Sequence, residues 1–342
     1  GIVIYGCLNA VLASLVRLFG VFVVKANGFR IFPWQKTDAA TVRKIAGTGG
    51  WNLAIGTAMN LHIRADALLM NIFFSLEGNA IFGLAVYVSA MVKQISGGMV
   101  DGLEAVSTRV SSKDNEGSLK RLVSRTGRQT AMVVFPAIIG VVVLFDPLVH
   151  VWLGSHLGEL QSTEQLLIIG AVLLVGYGAR AISDGWRLVF YGAGYIRSYA
   201  PILLAGGLAN PIIGVMLIFM LPDSVSWVGP AAAFAVTMLM FNGIGMVLKS
   251  ERASGLRQGH SYLSLLRPLF AAILATPAIL VASFFDLDHL SRILLSAIPF
   301  VLLYGLLAWA IVLDARERAM ILAIPRKIIA FRRKGASSGT TL

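Results

Sequence analysis

An all-α polytopic membrane protein is the fold class this sequence predicts, and three observations carry the prediction. Hydrophobic residues make up 57% of the 342 residues and charged residues only 13%, with a mean hydropathy of +0.78. A water-soluble domain carries about 25% charged residues, so this chain lacks the charge to cover a solvated surface. Apolar runs of about 20 residues, enough to cross a bilayer as a helix, recur along the whole length. The basic residues behind the net charge of +12 fall in short loops between those runs, the pattern that orients membrane proteins rather than one that binds nucleic acid. These features exclude an ordinary soluble enzyme and a disordered chain. An open sheet edge cannot satisfy its backbone in lipid, so the spans are read as helices.

About nine spans are expected, over residues 2–24, 50–74, 79–102, 130–152, 164–190, 199–221, 227–248, 265–285 and 293–313. With that count every Lys and Arg except Arg17, Arg64, Lys93, Arg180 and Arg292 falls on one side, in the loops after the odd-numbered spans and in the C-terminal tail. The opposite loops hold Arg292 and the acids Glu77, Asp146, Glu159, Glu164, Asp223, Asp286 and Asp288. The positive-inside rule makes the basic side cytoplasmic and the C-terminus cytoplasmic with it. The first span then enters from outside. It has no basic flank before it and is too long for the apolar region of a signal peptide. It reads as the last of several N-terminal helices of a longer protein. Residues 117–128 alternate Leu119, Leu122 and Val123 with Lys120, Arg121 and Arg125, the pattern of an amphipathic helix lying on the membrane surface. Basic residues from Arg326 to Lys334 are expected on anionic lipid headgroups, and 336–342 are expected to be disordered. The single cysteine, Cys7, can form no internal disulfide and reads as a packing residue.

Ionisable side chains inside a span cost several kcal/mol unless they meet a partner or a wet cavity. Arg64 and Asp66 sit near the middle of the second span. At about 100° per residue, Thr57, Asn60, Arg64 and Asn71 share a face, and Asp66 points about 160° away from Arg64. Arg64 with Asn60 and Asn71 therefore reads as an anion-binding stripe, against the plainer reading of a packing ion pair with another helix. Asp66 is either a structural partner or a proton or cation site. Lys93, with Ser89 and Ser96 on its face, lies too far from its helix end to snorkel comfortably. Arg180 and Asp184 are an i, i+4 pair that either neutralise each other or yield Arg180 to an anionic substrate; Tyr177, Arg187 and Tyr191 continue their stripe. Arg17 lies about seven residues from a helix end, within reach of snorkelling. Asn9, Asn52, Asn210 and Asn242 read as interhelical hydrogen-bonding residues. Basic residues outnumber acidic ones at mid-membrane, which favours a phosphorylated ligand and disfavours organic cations. No catalytic triad, metal cluster or nucleotide loop is legible, and neither an enzyme nor a cofactor is called for. His150, His156 and His289 on the outer side are scattered in sequence.

A resemblance adds to this. The stretch from Gly49-Gly50-Trp51 to Arg64-Ala65-Asp66-Ala67-Leu68-Leu69-Met70 opens it. Gly83-Leu84-Ala85-Val86-Tyr87, the loop from Lys113-Asp114 to Lys120-Arg121-Leu122, and Phe145-Asp146-Pro147-Leu148 to Trp152-Leu153-Gly154 continue it. Together they resemble the C-terminal portion of Wzx-like polysaccharide flippases, the O-antigen and exopolysaccharide translocases of the multidrug/oligosaccharidyl-lipid/polysaccharide exporter superfamily. The resemblance implies two six-helix lobes around a central cavity. Residues 1–24 would be the last helix of the first lobe, 25–49 the cytoplasmic connection, 50–248 the second lobe, 249–313 an added helix pair and 314–342 a basic tail. It also implies translocation of an undecaprenyl-pyrophosphate-linked oligosaccharide across the bacterial inner membrane by alternating access. The partners would be that lipid-linked oligosaccharide, anionic lipids and other polysaccharide assembly proteins. The pyrophosphate would meet Arg64, Lys93 and Arg180, with Arg17, Asn60 and Asn71 beside them, and Asp66 or Asp184 would couple an ion. Rival readings are a multidrug exporter of the same fold, which would depend on Asp66 rather than Arg64, and a membrane polymerase or ligase acting on the same glycans.

Overall fold

The computed structural model describes residues 2–28, 38–111, 116–154, 163–281, 285, 287–315, 317–319 and 322–323. Arg30, Lys36, Lys113, Asp114, His156, Glu159, Asp286, Arg316 and the basic tail from residue 324 lie outside them. Within the described residues the chain consists of helices joined by short turns and has no strand. Eight helices are long and apolar enough to cross a membrane, so the protein is an all-α, multi-pass membrane protein.

The chain divides into two compact units, Gly1–Gly49 and Gly50–Leu342. The first contains α1 (Ile2–Ala26). It ends where Gly28 turns to φ +79 and its N–H bonds the Lys25 carbonyl, the left-handed C-terminal stop that glycine makes without steric cost. Asp38 starts the next helix, its Oδ2 accepting the Thr41 N–H at 3.2 Å.

That next helix, Ala39–Val100, is broken at Phe74 and Ser75, giving α2 (39–73) and α3 (76–100). The break explains how eight long helices match about nine expected spans. Ser75 sits at φ 69, ψ 178, a region normally left to glycine that costs about 1–3 kcal/mol. Then follow α4 (Leu103–Ser111), α5 (Glu116–Leu153), α6 (Thr163–Gly192) and α7 (Ile196–Met220). The last three long helices are α8 (Ser226–Ala253), α9 (His260–Leu280) and α10 (His289–Val312).

In the second unit α6 is the most buried span, because α3, α4, α5 and α8 all pack around it, while α7 packs on α8. Phe82, Phe145, Leu173, Trp186, Phe190, Tyr199 and Phe234 fill the space between them. Small residues set the closest approaches. A Cβ on Gly207 of α7 would come within 2.6 Å of the Ala58 Cα on α2, so glycine is required there. A second core joins α9 and α10 to α5 through Ala271, Ala272, Ala275, Ile279, Phe300 and Tyr304. Outward faces stay apolar, as with Ile212, Met216 and Phe219 on α7, because hydrocarbon replaces water as their solvent.

Residues 117–128 are not a separate surface helix. They are the opening turns of α5. Leu119 and Val123 are buried against the bundle, and the Trp186 indole donates to the Val123 carbonyl at 3.2 Å. The apolar stripe read as lipid-facing faces protein instead. Arg128 in the same stretch binds Asp314 at 2.7 Å and Glu317 at 2.9 Å, which ties the end of α10 to α5.

Glu251, at the end of α8, is fully buried and accepts three hydrogen bonds: from the N–H groups of Gly259 and Ser261, each at 2.7 Å, and from the Ser261 hydroxyl at 2.5 Å. It thereby organises the turn into α9, where Gly255 and Gly259 both take positive φ. Glu251→Ala strands buried donors at about 1–3 kcal/mol each. We expect a loss of about 3 kcal/mol, seen as a lower denaturation midpoint in detergent. An unchanged midpoint would show that the turn is held by other contacts.

Candidate functional site

Mid-membrane polar groups gather where α2, α3, α6, α7 and α8 meet. Asp184 of α6 is the centre of one cluster. Its Oδ1 lies 3.0 Å from Arg187 Nε, and its Oδ2 lies 3.9 Å from both Lys93 Nζ of α3 and Arg180 Nε. Three cations thus share one carboxylate. Asp184 and Arg180 are largely buried, Arg187 less so, and the Lys93 side chain is 37% exposed. The cluster therefore opens on one flank. The contact from Arg180 Nε to Asp184 is too long for a hydrogen bond, and that buried donor has no acceptor.

The sequence expectation of an Arg180–Asp184 pair is met only loosely. The i, i+3 neighbour Arg187, assigned from sequence to the basic cytoplasmic side, takes the better geometry because its Nε bonds the carboxylate directly. Lys93 is close to Asp184 because α3 packs along α6, where the Ser89 hydroxyl donates to the Gly170 carbonyl at 3.0 Å.

A second polar cluster lies on the buried face of α2. Asp66 and His62 are fully buried there. Asn210 of α7 donates to Asp66 Oδ1 at 2.7 Å and to the His62 carbonyl at 3.2 Å. The Thr237 hydroxyl of α8 lies 3.1 Å from Asn210 Oδ1 and 3.4 Å from His62 Nδ1. Asp66 Oδ2 and His62 Nε2 have no partner. The next turns of α8, Met238–Met246, are π-helical, a widening often found at functional sites. The Gly243 carbonyl there bonds the Tyr262 hydroxyl at 2.5 Å, and buried Asn242 keeps an unpaired Oδ1. The two clusters adjoin through Phe234, whose ring centroid lies 6.2 Å from that of His62 and 4.9 Å from that of Tyr177, one turn before Arg180.

Arg64, Asn60 and Asn71 stand on the opposite, exposed face of α2. The helical angle read from sequence separates Arg64 from Asp66, and the structure does the same. Asn60 only returns a hydrogen bond to the Gly56 carbonyl of its own helix. The structure therefore joins Lys93, Arg180 and Asp184, sets Asp66 beside them, and leaves Asn60, Arg64 and Asn71 on a separate surface. Arg17 lies on α1 of the first unit. An apolar cavity of about 420 Å³ between α5, α6, α8 and α9, lined by Phe135, Ile138, Val175, Leu239 and Leu265, involves none of these cations.

Sequence reasoning passed over His62. One histidine in an apolar run carries no pattern, and its partners Asn210 and Thr237 are 148 and 175 residues away. Asn52 and Asn210 do hydrogen-bond between helices, Asn52 donating to the Tyr191 hydroxyl at 2.8 Å.

Residues 2–160 match the model of a family described as polysaccharide biosynthesis protein. No curated protein and no solved structure matches the chain. The family match takes in α1 to α5, with Arg64, Asp66 and Lys93 inside it and Arg180 and Asp184 beyond it, and it supports a part for this membrane protein in polysaccharide biosynthesis.

Proposed function

We propose that the protein translocates a lipid-pyrophosphate-linked oligosaccharide across the cytoplasmic membrane by alternating access, for assembly of a cell-surface polysaccharide. The observation that carries this reading is the Asp184 cluster: Lys93, Arg180 and Arg187 around one carboxylate, with a buried Arg180 donor lacking an acceptor. A surplus of desolvated cations opening on one flank suits a phosphate anion, because charge-assisted bonds from guanidinium to phosphate are strong and directional. Arg64, Asn60 and Asn71 form a second polar surface for the pyrophosphate or the sugar hydroxyls; Arg17, in the first unit, is a separate candidate cation. Asp66 and Asp184 are the positions for ion coupling. Asp66 is the sharper of the two, since a buried carboxyl with a bare oxygen needs a proton or a cation there.

The test is transbilayer movement of a lipid-pyrophosphate oligosaccharide in proteoliposomes. A hydrogen bond to a charged group is worth about 1.5–3 kcal/mol. Arg180→Ala should therefore slow translocation by roughly 10- to 100-fold, with Arg64→Ala slowing it as well. Wild-type rates in both variants would overturn the proposal. Loss of transport on replacing Asp66, with Arg64→Ala silent, would point to an exporter of organic cations instead.

A further inference from the structure

We propose that Asp146, His150 and His289 form a binding site for a divalent transition-metal ion, Zn²⁺ foremost, which clamps α10 to α5. Asp146 and His150 are i, i+4 neighbours on the last turns of α5, so they share a face. This is the end of α5 remote from its basic residues Lys120, Arg121, Arg125 and Arg128. His289 is the first residue of α10. The two imidazoles lie face to face, centroids 4.3 Å apart and planes 11° from parallel. Each of the three residues brings a ligand atom to within 4.8 Å of the other two.

The chemistry of the donor set fits. Two imidazole nitrogens and one carboxylate oxygen, with water in the fourth position, make a familiar tetrahedral zinc environment, whereas Ca²⁺ and Mg²⁺ favour all-oxygen sites. Ligand bonds of about 2.0–2.2 Å put ligand atoms roughly 3.3 Å apart. Closing that gap requires the rings of half-buried His150 and exposed His289 to rotate out of their stack. The site is also oriented from behind. His150 Nδ1 lies 2.9 Å from the Asp146 carbonyl and 3.3 Å from its Oδ1. Donation of the Nδ1 hydrogen to that carbonyl leaves Nε2 with its lone pair free, the support that metal-ligating histidines commonly have. Asp288 fixes the start of α10, its Oδ2 accepting the Ser291 N–H at 3.1 Å.

The clamp has a structural counterpart. The far end of the α9–α10 pair is tied to α5 by Arg128 with Asp314 and Glu317. The metal would tie the near end, so α10 would be held to α5 at both ends. The inference stands apart from the transport reading.

The experiment uses the complete protein, purified in detergent without a histidine tag and stripped of metal with chelator. Zn²⁺ is titrated against a chromogenic indicator, and Co²⁺ is added as a spectroscopic probe. One equivalent should bind with micromolar or tighter affinity, and Co²⁺ should give the intense visible bands of a tetrahedral site. His150→Ala should weaken binding at least tenfold and bleach those bands. His289→Gln, at the exposed first residue of α10, should do the same. Absence of stoichiometric binding would overturn the site. So would binding that survives both substitutions, since it would belong to other residues.

Discussion

Asp184→Ala should destabilise the protein by about 2–4 kcal/mol, and inorganic pyrophosphate should restore most of the loss. Removing the shared acid leaves Lys93, Arg180 and Arg187 facing one another across α3 and α6. Breaking a fully buried pair by removing one partner costs about 3–5 kcal/mol. The lower figure reflects Lys93, which is more than a third exposed and screened. Arginine cannot shed its proton to escape the penalty, so the variant must relax or recruit an anion. A pyrophosphate present at 100 times its dissociation constant would return about 2.7 kcal/mol. A denaturant titration in mixed micelles, with and without pyrophosphate, reads both effects. Adding Arg180→Met to the Asp184→Ala background should relieve part of the destabilisation by deleting the most buried of the repelling charges. Failure of pyrophosphate to stabilise Asp184→Ala would remove the cluster from consideration as a phosphate site. An undiminished midpoint for the variant would show that Asp184 does not hold the cations at all.

The spans were legible because lipid imposes one rule on long stretches: about 20 apolar residues, broken where polar ones gather. The break between α2 and α3 is an example. The sequence places a connection after Phe74, and the backbone leaves the helix at Phe74 and Ser75. Faces within one helix were equally legible, since they depend only on the 100° step, and the step puts Arg64 opposite Asp66. Partners across helices were not. Lys93 meets Asp184, and Asp66 meets Asn210, through a packing order that no local pattern encodes. The stripe at 117–128 shows the same limit differently. Leu119 and Val123 alternate with basic residues as a membrane-surface helix would, yet periodicity reports only that one face is apolar. Whether acyl chains or Trp186 cover that face is decided by the bundle.

Asp66→Asn should leave the fold within about 1 kcal/mol of wild type and abolish the response of transport to an ion gradient. Asp66 is fully buried at mid-membrane and has one hydrogen-bond partner, Asn210 Nδ2 at 2.7 Å. Its second oxygen is buried without a hydrogen-bond partner. A bare carboxylate in that setting would cost many kcal/mol, which is why the proposed coupling ion is placed there. Asparagine keeps the shape, accepts the same bond and has no charge to neutralise, and the packing of Ala58 on Gly207 nearby stays undisturbed. Asn210→Ala contrasts with it: the Asp66 oxygen loses its donor, at about 1–3 kcal/mol, while the Thr237 hydroxyl keeps the Ala233 carbonyl at 2.7 Å. Transport by Asp66→Asn should run at the same rate with a proton or sodium gradient imposed in either direction, whereas the wild type should respond to one of them. If the Asn variant still responds, the coupling ion binds elsewhere, and Asp184 becomes the position to replace next. If Asp66→Asn does not fold while Asn210→Ala does, the buried group is a structural acid and the gradient acts through another residue.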